Sequence, residues 1–308
     1  MKWSLVCPVW HKDIDLIPIT LPSFLNVNPT EVIMCVDYTH TEIPNYRELA
    51  DKVVEKIREV AGDRVRVLKV ERNDEYAFQQ AWIRRKGFLE AKYDRILTTD
   101  IDLIINRNVL KAVEMVGKDN IGLVSLSKIH IPRDLISFLR LMGEWILKKY
   151  VHKFAEMYRG RGIAVTTFTG LYAIWRPYWL DSEDEGIKKL VNPKQKLREG
   201  ISIKWSLRDF YAPGEDTYLR DCMERKHRVV YLPDIGAVVL SSPLEDHPDV
   251  QYMKGIYFAL KGRNLVGALA RTFLRLQPYY LCGHLYGKKM LQILGRYRDE
   301  SAGSRFRF

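Results

Sequence analysis

The chain has 308 residues, 47% apolar and 28% charged, enough for one large α/β domain or two small ones around a sizeable core. Its four cysteines (Cys7, Cys35, Cys222 and Cys282) lie far apart with no CxxC pair, which argues against a zinc module or disulfide framework and fits a reducing compartment. The net charge of +11 is unevenly spread: residues 251–308 hold 11 Lys/Arg against Asp299 and Glu300, so they carry +9 and the first 250 residues only +2.

Trp3–Val9 opens the chain as a strand, with no signal-peptide architecture before it. The longest uncharged stretch, Leu16–Thr30, is interrupted by Pro18, Pro22 and Pro29 and is shorter than the roughly 20 apolar residues of a membrane span. A cytoplasmic protein is expected, soluble or peripheral at the inner face of the cell membrane. Further strands are predicted at Glu31–Asp37, Arg64–Glu71, Arg95–Thr99 and Ile121–Ser127. Helical spacing marks Pro22–Asn26 with its lead-in, Tyr46–Ala61, Glu75–Lys92 and Asn108–Val116. This alternation predicts an α/β fold with a doubly wound, mostly parallel sheet, whose ligands bind beyond the carboxyl ends of the strands.

After Ser127 the pattern predicts a long helix over Arg133–Met157, a β run over Ala164–Trp175 and a charged connection over Asp181–Arg198. A helix starting near Gly214 and a strand pair around Arg228–Leu240 complete a body of residues 1–250. Residues 251–308 read as a basic amphipathic helical tail with breaks at Gly262 and Pro278.

The chemistry concentrates in two places. Arg95-Ile-Leu-Thr-Thr-Asp-Ile-Asp102 ends a strand in two carboxylates at the ligand-binding edge. Alternation along an extended chain would put Asp100 and Asp102 on one side, where two hard oxygen donors suit Mn²⁺ or Mg²⁺ and leave positions for a diphosphate. Gly214-Glu-Asp-Thr begins a helix, where exposed backbone N–H groups stabilise a carboxylate.

The stretch from Glu75 to Asp102 resembles the family 2 glycosyltransferases, in which an Arg-Asn-x-Gly-Leu helix leads through Ala-x-Gly into a strand ending Asp-x-Asp. Arg84, Gly87, Phe88, Ala91 and Asp100 fall at the matching spacings, whereas Arg85 stands for the usual Asn and Tyr93 for the usual Gly. Ser4–His11 is similar to the family's first strand and its turn, and Glu31–Asp37 to its second. Tyr38 replaces a usual second aspartate, and the Gly-Ser-Thr-Asp that commonly follows is absent. Gly214–Pro233 resembles the family's Gly-Glu-Asp helix and following strand.

The resemblance covers roughly residues 3–240 and implies a GT-A fold and metal-dependent, inverting transfer from a nucleotide-sugar donor (UDP- or GDP-linked) to a glycan or lipid-linked acceptor. It implies Asp100 and Asp102 at the metal, Asp216 as catalytic base and Glu215 orienting the acceptor. Donor contacts would come from Pro8, Val9, Trp10, Asp37, Arg84, Asp100, Thr169 and Gly170. Tyr172 and Trp175 face either a sugar ring or the core. The family's metal-completing His has no counterpart in Ala237–Pro243, and His247 is either a late substitute or solvent-exposed.

Leu265, Val266, Leu269, Phe273 and Leu276 recur at helical spacing among basic residues, which reads as an anionic-membrane anchor or as a packing cap. Nucleic-acid binding is not expected, since no recognition motif is present. Two other classes remain. A nucleotidyltransferase would carry a Gly-rich phosphate loop after the first strand, and Cys7–Lys12 has no glycine. A non-catalytic binding protein on a transferase scaffold would not need to keep both acidic motifs.

Overall fold

The computed structural model describes residues 1–39, 43–76, 79–130, 138–139, 142, 170–184, 215–240, 251–252, 255–256, 259, 265–274 and 276–294. The chain divides into two compact units, Met1–Ile131 with Thr166–Lys189 and Gly214–Ser241, and Pro132–Val165 with Leu190–Pro213 and Ser242–Phe308. These units follow packing, whereas the division expected at residue 250 follows charge.

The first unit holds the sheet. Its strands are β1 (Ser4–Val9), β2 (Glu31–Asp37), β3 (Arg66–Val70), β4 (Arg95–Thr99), β5 (Leu103–Ile105), β6 (Ile121–His130), β7 (Leu171–Trp175) and β8 (Arg228–Val239). They lie in the order β3-β2-β1-β4-β7-β6-β8-β5. Pairings among β1–β4 and between β6 and β8 are parallel, while β7 runs antiparallel to both its neighbours and β5 to β8. The result is the expected α/β architecture with a mostly parallel sheet flanked by helices.

Helices α1 (Ile17–Asn26), α2 (Tyr46–Ala61), α3 (Gln79–Glu90), α4 (Val109–Met115), α5 (Arg176–Ser182) and α6 (Glu215–Met223) belong to this unit. All six residues of β1 are buried, as a parallel strand covered on both faces requires. Leu5, Cys7 and Val9 join a core with Ile17 and Leu21 of α1 and Val53 and Ile57 of α2. Val6, on the opposite face, joins Ile83 and Phe88 of α3, Trp179 of α5 and Met223 of α6. Gly87 lets α3 approach this closely, because a Cβ there would meet Val6 Cγ1 at 2.4 Å and Cys35 Sγ at 2.7 Å.

The strand order fixes where a ligand can sit. From β1 the chain winds outward through β2 and β3, then returns to place β4 on the other side of β1. The carboxyl ends of β1 and β4 therefore flank a topological switch point, the usual binding crevice of such sheets.

Four elements differ from expectation. Residues His11–Leu16 form a 3-10 helix and β5 a short strand, neither of them among the expected elements. Helix α5 begins directly after β7, because Pro177 suits the first turn of a helix. The expected pair of strands around Arg228–Leu240 is the single strand β8. Its register to β6 jumps from Leu126↔Leu232 to Ser127↔Ile235, so Pro233 and Asp234 are accommodated as an irregularity.

The second unit contains α7 (Leu265–Leu274) and α8 (Pro278–Leu294), which pack on each other. The expected Arg133–Met157 helix lies outside the described residues except at 138–139 and 142, and so does the run 164–169.

Candidate active site

Asp100 leaves the end of β4, and its backbone N–H donates to the Gly170 carbonyl at 3.1 Å. The chain does not stay extended through the acidic pair. Leu103 N–H donates back to the Asp100 carbonyl at 3.3 Å, so Asp100–Leu103 is a tight turn rather than a continuing strand. Leu240 N–H binds the Asp102 carbonyl at 2.8 Å and ties that turn to the end of β8.

Arg84 projects from α3 beneath this turn and is only 2% exposed. Its Nη1 donates to Thr98 Oγ1 at 2.9 Å and its Nη2 to Asp100 Oδ1 at 2.7 Å. Its Nε lies 3.9 Å from Asp216 Oδ1, and its guanidinium sits 5.9 Å from the Tyr172 ring. A buried guanidinium thus stands between the acids of the two motifs, which are 116 residues apart in sequence. Its charge offsets the cost of burying carboxylates close together.

Gly170 completes the link. Its N–H donates to Asp216 Oδ2 at 2.8 Å while its carbonyl accepts from Asp100. It adopts φ +61°, the left-handed region that glycine enters without strain, and a Cβ there would lie 1.8 Å from Asp100 Oδ2. Asp216 is the second residue of α6, where backbone N–H groups at the helix start also favour a carboxylate. Glu215 begins the same helix. Thr169 and His247 lie outside the described residues.

The proposed donor contacts divide into two groups. Pro8 and Val9 occupy the buried end of β1, in register with Cys35 and Val36. Trp10 follows them, half-buried against the α3 side of the core. Asp37, buried at the end of β2, accepts from Thr39 N–H at 3.3 Å, Gln79 Nε2 at 3.5 Å and the Tyr46 hydroxyl at 3.2 Å. Burial and then the Asp37 charge hold the Tyr46 hydroxyl well above its ordinary pKa. Of the two aromatics left open by the sequence, Tyr172 is fully buried in the core on the α3 side, and Trp175 packs against the opposite cluster.

One functional candidate escapes the sequence reading. Asp13 sits in the 3-10 helix after β1, where its Oδ2 accepts from Trp10 N–H at 3.0 Å. Its carboxyl is pushed up to about 6 by burial, with Asp102 and then Asp100 adding to the effect. Asp13 therefore stands within the field of both acids of the first motif, beyond the end of β1. An acid a few residues beyond β1 was the available signal, but it became meaningful only once β4 was placed beside β1. Cys7, beneath them, has a thiol raised well above its ordinary pKa by burial first and by Asp100 next.

Among the described residues no three His, Cys, Asp or Glu side chains converge as a group that could hold a metal. The fit to Mn²⁺ or Mg²⁺ rests on the donor chemistry: Asp100 and Asp102, on one tight turn beyond β4, would offer hard carboxylate oxygens. Such an ion takes its remaining ligands from water and phosphate, so two protein carboxylates are compatible with it.

No protein-family model matches the chain, and no curated protein does. Among solved structures, a mannosyltransferase from Pyrobaculum calidifontis in complex with GDP-Man and Mn²⁺ aligns over 98% of this chain and 77% of its own, at 14% identity and a TM-score of 0.47. The glucosyl-3-phosphoglycerate synthase of Mycobacterium tuberculosis, solved with Mn²⁺, UDP and phosphoglyceric acid, aligns over 88% and 78% at 13% identity and a TM-score of 0.45. A 4-diphosphocytidyl-2C-methyl-D-erythritol synthase from Anaerococcus prevotii aligns over 75% and 88% at 12% identity and a TM-score of 0.42.

Proposed function

We propose that this chain is a glycosyltransferase of the family 2 type, moving a hexosyl group from a UDP- or GDP-sugar to a hydroxyl or phosphate acceptor with inversion. The observation that carries this reading is the junction at Gly170. Its N–H holds Asp216, its carbonyl holds the Asp100 backbone, and Arg84 spans both carboxylates. Two acidic motifs that the sequence resemblance assigns to donor binding and to base catalysis thereby meet at one point.

In this reading Asp100 and Asp102 hold Mn²⁺ or Mg²⁺, which when bound offsets charge developing on the departing nucleoside diphosphate. Pro8, Val9, Trp10 and Asp37 line the donor's approach at the ends of β1 and β2, and Thr169 and Gly170 border the sugar. Arg84 keeps the Asp100 and Asp216 carboxylates in place from below. Asp216 takes the proton of the acceptor hydroxyl while the oxygen attacks the anomeric carbon. The new bond forms from that oxygen as the bond to the diphosphate breaks, and its electron pair leaves with the phosphate. Glu215 orients the acceptor. Residues 1–250 supply this chemistry, and residues 251–308 form a basic extension.

Thermal denaturation with UDP-, GDP- and dTDP-sugars, each with and without Mn²⁺, tests the reading. A ligand at about 100 times its Kd stabilises the fold by about 2.7 kcal/mol. Release of nucleoside diphosphate then identifies glycosyl transfer, whereas release of pyrophosphate would identify nucleotidyl transfer. Absence of any Mn²⁺-dependent shift across the donors would sink the proposal.

A further inference from the structure

Helix α7 is built with its apolar side outward. Ala268 is buried, and the Thr272 hydroxyl is buried with it, so small and polar groups face the protein. Val266 and Phe273, seven residues apart and hence on one face, are 72% and 71% exposed. Leu265 at the start of α7, Leu276 after its end and Tyr279 at the start of α8 are exposed as well. Leu276, between the helices, holds φ +50°, a conformation in which a Leu is uncommon. A solvated helix would place polar residues at these positions, so this face is shaped to be covered.

We propose that this face of α7 docks into an anionic phospholipid bilayer, an inference that needs nothing from the proposed glycosyl transfer. Charge complementarity selects the occupant. The face lies in a segment, residues 251–308, that carries +9, with Lys261, Arg263, Arg271 and Arg275 close to it in sequence. A second copy of the chain would bring two such segments together and be repelled. A nucleic acid would use the charge but leave the aliphatic side chains of Leu265, Val266 and Leu276 in water. A bilayer uses both features. The apolar face enters the boundary between headgroups and acyl chains, and the basic residues meet lipid phosphates. Among the described residues no helix is long and apolar enough to cross a membrane, so the contact is interfacial.

Flotation of the full chain tests the proposal, with vesicles of phosphatidylcholine alone or mixed with phosphatidylglycerol. The chain should float with the mixed vesicles at low salt, less at high salt, and little with phosphatidylcholine alone. Val266→Ser/Phe273→Ser should reduce binding at least tenfold, the order expected for two large apolar side chains left in water. Lys261→Glu/Arg263→Glu should also reduce it, by roughly fivefold or more per site. Both substituted apolar positions are exposed, and an unchanged circular dichroism spectrum checks the fold. As a second measurement, Phe273→Trp should show a blue-shifted emission when mixed vesicles are added. The proposal is overturned if the parent chain does not float, or if Val266→Ser/Phe273→Ser floats as the parent does. It is also overturned if that variant turns a vesicle-free dimer into a monomer, which would make the face a self-contact. Tighter binding to a short DNA duplex than to vesicles, unaffected by the same variant, would assign the charge to nucleic acid instead.

Discussion

A Cβ at Gly170 would lie 1.8 Å from Asp100 Oδ2, so the absence of a side chain on one residue sets the position of the other's carboxylate. Gly170→Ala should therefore displace Asp100 and also introduce a left-handed alanine, which alone costs about 1 kcal/mol. The loss in urea-denaturation stability should be smaller in an Asp100→Ala background, because the clashing group has gone. Equal losses in the two backgrounds would mean that Asp100 is not what Gly170 accommodates.

Arg84 stands between Asp100 and Asp216 and is buried. Removing it leaves two carboxylates close together without their cation, and breaking a buried pair this way costs roughly 3–5 kcal/mol. Arg84→Met should fall in that range at neutral pH. Arg84→Lys should lie between, since an ammonium keeps the charge without the guanidinium's fork. Denaturant titrations measure both. A loss below 1 kcal/mol for Arg84→Met would show that the acids do not depend on it.

Much of the architecture was legible in the sequence because parallel strands buried on both faces are uninterrupted apolar runs. Glu31–Asp37, Arg95–Thr99 and Tyr46–Ala61 have the bounds expected of them. What resisted was whatever depends on partners distant in the chain. Leu103–Ile105 is a strand only because β8 lies beside it, and Pro233 is tolerated within β8 only because the register to β6 shifts there. The same holds at the candidate site. The acids Asp100, Asp102 and Asp216 stand out by motif, yet the turn at Asp100–Leu103 replaces the expected extended spacing. The influence of Asp100 and Asp102 on Asp13 follows from strand order, which no local pattern encodes. Arg84 was expected to meet the donor, and its described contacts are with Thr98 and the acids beneath the surface.

The two motif acids should separate in kinetics. Asp102→Asn should abolish Mn²⁺-dependent nucleotide binding, read by calorimetry with UDP and GDP. Asp216→Asn should leave that binding nearly intact and slow transfer by about two to four orders of magnitude, the usual range for a positioned base. Near-normal turnover in Asp216→Asn would move suspicion to Glu215, and undiminished Mn²⁺-dependent binding in Asp102→Asn would remove that residue from the metal.

Asp13 should make the stability of the fold depend on pH. Its folded pKa of about 6 stands above the ordinary aspartate value near 3.9, because burial and then Asp102 and Asp100 disfavour the charged form. The folded state therefore binds this proton more tightly than the unfolded state does. The stability it contributes is fully present below about pH 4 and is lost as pH rises from there through about 6. Asp13→Asn stays neutral throughout, and its amide oxygen can still accept from Trp10 N–H. Relative to the parent, the variant should thus gain stability between pH 4 and 7, by about 1–2 kcal/mol after allowance for partial exposure. Urea titrations with chelator present, to keep divalent ions away from the acids, measure the difference. A gap between the two chains that stays constant across this range would show that Asp13 ionises as an ordinary solvated carboxyl, and the acidic pair would then exert no field at the end of β1.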